Sequence, residues 1–161
     1  MFLLLTAFVL SGCDSSGSSV ETADCASRTG NSMTATVNGD ALCTDLGSAL
    51  LVGVSGSRLS VLGFGTWGSV VFSVENPRVG TFDLADPDAE NDAMYGMPNE
   101  TAYYVDRDEG SGSVTIVDLT DSRVRGTFAF TGVGYDVNLN PTGDQAEVTD
   151  GTFDVALASD I

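Results

Sequence analysis

The stretch FDLADPDAENDAMYG, residues 82–96, gathers five carboxylates: Asp83, Asp86, Asp88, Glu90 and Asp92. Hard oxygens in such a run suit Ca²⁺, which is held by carboxylates, carbonyls and water. The run is not an EF-hand. In a register starting at Asp86 the sixth position is Asn91, where that loop requires Gly, and the closing Glu is missing. Calcium held by these five residues is one reading, and an ordinary solvated acidic loop is the other. Aromatic residues offer a second kind of site. Trp67, in FGTWGSV, and Tyr95 could stack on a sugar or grip a peptide, while a Trp between glycines could equally cap one end of a core.

Other chemistries are absent for want of residues. The chain has no His, which removes a Ser-His-Asp or Cys-His nucleophile, a His-based zinc site and an imidazole base. Paired carboxylates remain as a route to glycoside hydrolysis. With 23 acidic residues a pair somewhere is nearly guaranteed, and nothing in the spacing sets two of them at a defined separation. The expectation is therefore a binding or purely structural protein rather than an enzyme, with no catalytic residue assigned and no cofactor beyond the calcium reading.

The charge narrows the partners. Six basic residues, all Arg, stand against the 23 acids, for a net charge of −17. Such a surface repels a phosphate backbone, so nucleic acid is not an expected partner. The carboxylates are spread along the chain, which suits a solvated coat that keeps the protein soluble in high salt.

The first ten residues, MFLLLTAFVL, are apolar. They are too few to cross a bilayer, which takes about 20 residues, and they match the apolar core of a secretory signal. Leu10-Ser11-Gly12-Cys13 resembles the bacterial lipobox. That resemblance implies cleavage before Cys13 and acylation of its thiol, with membrane attachment through several acyl chains. A signal usually opens on Lys or Arg, and Met1–Leu10 has neither. Either the start lies upstream or this opening is atypical. Residues 14–24, DSSGSSVETAD, read as a flexible acidic tether, reaching on the order of 35 Å when stretched. The expected location is the cell envelope, facing periplasm or exterior, with the leaflet left open and an envelope protein or small ligand as partner. With Cys13 acylated, Cys25 and Cys43 form an even pair, and export suggests a disulfide between them. It would close a short loop and contribute roughly 3 kcal/mol.

The elements that must position these residues are strands. Short apolar runs are broken by Asn-Gly, Ser-Gly-Ser, Asn-Pro and Thr-Asp-Ser, and no window has helical periodicity. About nine or ten strands predict an all-β domain, an antiparallel sandwich or an up-and-down barrel. The division is signal at 1–12, acylated Cys13 and tether at 13–31, and one domain at 32–161. Residues 83–100 are expected to be the longest insert outside strands, and so the most plausible place for function. GTF occurs at 80–82, 126–128 and 151–153. Its unequal spacing argues against an internal repeat. The expectation is a Gly at a turn or bulge, a β-branched Thr and a buried Phe, with Phe82, Phe128, Phe130 and Phe153 in the core.

Four segments carry a wider resemblance: MTATVNG (33–39), GSVTIVDL (112–119), RVRGTFAFTG (123–132) and DGTFDVAL (150–157). Together they resemble a family of uncharacterised secreted lipoproteins of Bacteroidetes-type bacteria. A Met-Thr-Ala strand opens the domain in that family and a GTF strand ends it. The resemblance implies the fold and the envelope location, and it carries over no catalytic residue.

Overall fold

A computed structural model describes residues 31–43, 46–52, 57–65, 68–97, 101–105 and 109–158. They form eleven strands: β1 (Ser32–Val37), β2 (Asp40–Cys43), β3 (Leu46–Val52), β4 (Arg58–Gly65), β5 (Gly68–Glu75), β6 (Gly80–Asp83), β7 (Asp92–Gly96), β8 (Ala102–Val105), β9 (Ser111–Leu119), β10 (Arg123–Tyr135) and β11 (Pro141–Ala158). The all-β expectation holds. Its one missed strand is β7, which interrupts the insert expected at 83–100.

Hydrogen bonding joins the strands into one sheet in the order β2-β1-β11-β3-β4-β5-β7-β8-β10-β9-β6, with β10 also paired to β11. That extra pairing curls the sheet into a ring. One edge of β11 carries β10, and the other carries β1 and then β3. β10 likewise carries β9 along most of its length and β8 at its end, Val133–Tyr135. Every pair is antiparallel except β11 with β3, where Leu157 and Ala158 lie beside Ala49 and Leu50. The fold thus has two facing layers, β6-β9-β10-β11-β1-β2 and β3-β4-β5-β7-β8, bridged by the ends of the two longest strands. A bulge helps β11 serve both layers. The register shifts between Thr149 and Thr152 against β1, and Asp150 sits at φ 51. Such an extra residue bends a strand and strengthens its twist.

Alternation along the strands builds the core. β10 buries every second residue from Val124 to Gly134, as a strand with one face inward must. Phe72 of β5 is fully buried and meets Phe128 of β10 at 5.3 Å and Phe153 of β11 at 5.0 Å between ring centroids. These contacts join the layers at their centre. The four expected core phenylalanines are all buried.

Pairing adds to the explanation of the GTF motifs. β10 and β11 pair so that Gly126 faces Phe153, Thr127 faces Thr152, and Phe128 faces Gly151. Each phenylalanine ring lies across the other strand's glycine. A Cβ on Gly151 would sit 2.4 Å from the Phe128 carbonyl oxygen, and one on Gly126 would sit 2.1 Å from that of Thr115. These two glycines serve close approach within a strand, and both lie at register shifts, Gly151 in the β11 bulge and Gly126 opposite one in β9, as a Gly at a bulge would. Gly80 opens β6 at φ 149, with nothing near its missing side chain. The three GTF threonines fall in one row across the outer face, Thr34-Thr152-Thr127-Thr115-Thr81. Hydroxyl contacts of 2.7 Å (Thr34–Thr152) and 2.9 Å (Thr81–Thr115) link its two ends, a cross-strand pairing that stabilises sheets.

Candidate ligand cleft

The acidic segment does not converge on a centre. Among the described residues no group of three or more His, Cys, Asp or Glu side chains is placed to hold a metal ion. The segment is held instead by protein groups. Asp83 Oδ1 accepts from the Ala85 amide and Asp86 Oδ1 from the Asp88 amide, both at 2.9 Å. Arg58 pairs with the Asp92 carboxylate, donates to the Glu90 carbonyl at 2.7 Å, and lies 3.7 Å from Glu90 Oε2. Asn91, which stands where an EF-hand requires Gly, is the buried peg. Its Nδ2 donates to the Asp83 carbonyl at 2.8 Å, and its Oδ1 accepts from the Glu75 amide at 2.9 Å. Losing that side chain takes a partner from two part-buried backbone groups, which costs about 1–3 kcal/mol. Urea unfolding should show Asn91→Ala destabilised by that amount and Asp88→Ala, at an exposed position, changed by no more than about 0.5 kcal/mol.

A concave site forms elsewhere. The Asn38-Gly39 turn has φ 50 and 91, the left-handed pair a two-residue hairpin needs to match strand twist. It is pinned to β11 by a reciprocal pair: the Asn38 amide donates to the Glu147 carbonyl at 2.9 Å, and the Glu147 amide donates to Asn38 Oδ1 at 2.8 Å. The hairpin so fixed faces the end of β7 across a cleft of about 220 Å³, lined by Val37, Asn38, Asp40, Ala41, Leu42, Tyr95 and Met97. Val37 and Leu42 are inward residues of the hairpin, and Tyr95 is an inward residue of β7.

Tyr95 is buried and stacked on Tyr103, with centroids 5.9 Å apart and planes 20° from parallel. Burial, then the neighbouring Tyr103, then the charge of Asp40 push its hydroxyl above the usual tyrosine value of 10.0. A raised value means that the folded protein holds this proton more tightly than the unfolded chain does. The stabilisation is complete below pH 10 and is lost as pH rises through the folded value. Comparing denaturant unfolding at about pH 9 and about pH 11 should show a smaller alkaline loss in Tyr95→Phe than in the parent.

A second, shallower groove of about 290 Å³ lies on the sheet across β9, β10 and β11, among Ser111, Ser113, Ala129, Thr131, Glu147 and Thr149. Of the residues singled out in the sequence, Tyr95 reaches the cleft. Asp83, Glu90 and Asp92 belong to the Asn91 and Arg58 network, and Asp86 and Asp88 share a local turn. Trp67, Cys13 and Cys25 lie outside the described residues, while Cys43 ends β2. The cleft residues Val37, Asp40, Leu42 and Met97 carried no signal of their own. The Asn-Gly turn was legible, but the strand its hairpin would face was not.

An acidic, curled β-sheet domain with an apolar cleft between its layers defines the class of protein. Residues 30–155 match the model of a domain of unknown function, DUF6252, and the chain belongs to that family. No curated protein matches the chain.

Proposed function

We propose that this chain is a lipid-anchored cell-envelope protein whose acidic β domain acts as a binding module, with the Tyr95 cleft as its site. The cleft carries the reading, because it combines enclosing apolar walls with few polar groups, the usual character of a small-ligand site. The anchor rests on the lipobox resemblance of Leu10-Ser11-Gly12-Cys13. β1 begins at Ser32, beside the residues leading back to Cys13, and ends at Val37 on the cleft, about 20 Å further on. A domain tethered through residues 14–24 can therefore turn the cleft away from the membrane. In the same reading Cys25 and Cys43 form the disulfide that ties the tether to the first hairpin, so a thiol reagent should label them only after reduction.

Two measurements test the proposal. Cys13→Ala should abolish incorporation of labelled palmitate in a bacterial host and leave the uncleaved precursor. A small-molecule fragment screen by NMR should move the resonances of Val37, Leu42, Tyr95 and Met97. Palmitate retained in Cys13→Ala would overturn the anchor. Shifts gathered at Ser111, Ser113 and Thr131 instead would move the site to the outer groove.

A further inference from the structure

The cleft has a charge character as well as a shape. Among the described residues its one carboxylate is Asp40, and no described Arg lines it. Four of the six arginines lie among the described residues and are engaged elsewhere: Arg58 with Asp92 and Glu90, Arg78 over the Phe82 ring at 5.4 Å, Arg123 with Asp154, and Arg125 with Asp118 at 2.8 Å. An anion entering would meet Asp40 and the field of a chain carrying −17, with no cation among the described lining residues to receive it. A hydrated metal ion would find one carboxylate among apolar walls, where calcium needs at least about six oxygens. A neutral apolar group would fit the walls but would cover Asp40 without a partner, at a desolvation cost.

One class of ligand meets all three conditions. We propose that the cleft binds an organic cation, an amine or quaternary ammonium on a short aliphatic arm. The arm lies among Val37, Leu42 and Met97, and the charge sits between the Tyr95 ring and the Asp40 carboxylate. The negative face of an aromatic ring attracts such a cation, and the Met97 thioether is polarisable and adaptable. The two polar partners line the same cleft. The volume of about 220 Å³ suits a small head group rather than a drug-sized molecule. This inference rests on the cleft being the binding site.

The experiment is calorimetric titration of the full chain at low salt with two matched pairs: choline against 3,3-dimethyl-1-butanol, and n-butylammonium against 1-butanol. Each pair shares shape and differs in charge. At least one cation should bind about tenfold more tightly than its uncharged partner. Asp40→Asn should remove that preference, and Asp40→Glu should keep it. Asp40 is exposed on a hairpin strand, so an unchanged melting temperature serves as the folding control. Two results overturn the cation and leave the cleft standing: alcohols that bind as well as the cations, with shifts at Val37 and Leu42, or a cation preference that survives Asp40→Asn. If none of the four compounds produces heat or moves those resonances, the cation proposal fails. If a broader fragment screen also leaves the cleft silent, the reading of the cleft as a site fails with it.

Discussion

Phe72→Ala should lose about 3–5 kcal/mol of stability, the range for truncating a fully buried phenylalanine. Phe72 has no exposed surface and touches Phe128 and Phe153 of the opposite layer. Removing the ring takes away its own burial and leaves a gap that two rings from other strands cannot both fill. In a domain of this size the melting temperature should fall by on the order of ten degrees. Phe72→Leu should recover part of the loss, because most of the volume returns. Val117→Ala, at a position 58% exposed, should stay within about 0.5 kcal/mol. Equal losses for Phe72→Ala and Val117→Ala would mean that the layers do not meet at Phe72.

Gly151→Ala should destabilise by about 1–3 kcal/mol, the range for overpacking. The added carbon would lie 2.4 Å from the Phe128 carbonyl oxygen and 2.6 Å from its ring. A ring can turn aside, but a carbonyl inside a ladder moves only with its strand. The substitution should therefore remain costly in a Phe128→Leu background, with partial relief from the missing ring. Gly126→Ala should behave alike, since its conflict is with the Thr115 backbone. Gly143→Ala is the informative contrast. That glycine sits at φ 83 with nothing within 4 Å, so its cost is conformational only and should be independent of Phe128. Denaturant unfolding of the single and double variants measures the coupling directly. Additivity of Gly151→Ala and Phe128→Leu would show that ring and glycine are not packed on each other.

Strand β7 shows where sequence pattern ran out. Asp92-Ala93-Met94-Tyr95-Gly96 has no β-branched residue and carries Asp and Gly at its ends, the composition of a loop. It is a strand because β5 lies on one side and β8 on the other. Neighbours supplied what propensity did not. Reading 83–100 as one insert therefore set Tyr95 among the acids, while pairing places it inward, across from Val37 and Leu42. The structural role of Asn91 was hidden for the same reason. Its amide partners, Asp83 and Glu75, come from the two preceding strands and their ends, and no local pattern announces them.

The sequence by itself determined the all-β class, the existence of every strand other than β7, the Asn-Gly hairpin and the four core phenylalanines. It also carried the acidic character, a net charge of −17. These follow from period-two alternation and turn chemistry, which act over a few residues and are written where they act. Only the tertiary structure decided that two GTF motifs interlock glycine against phenylalanine, that Arg58 and Asn91 hold the acidic segment, and that Asp40 and Tyr95 share a cleft. Each of those depends on which strand lies beside or opposite which. That choice is made by burying all the apolar faces at once, and no single segment of the chain contains it.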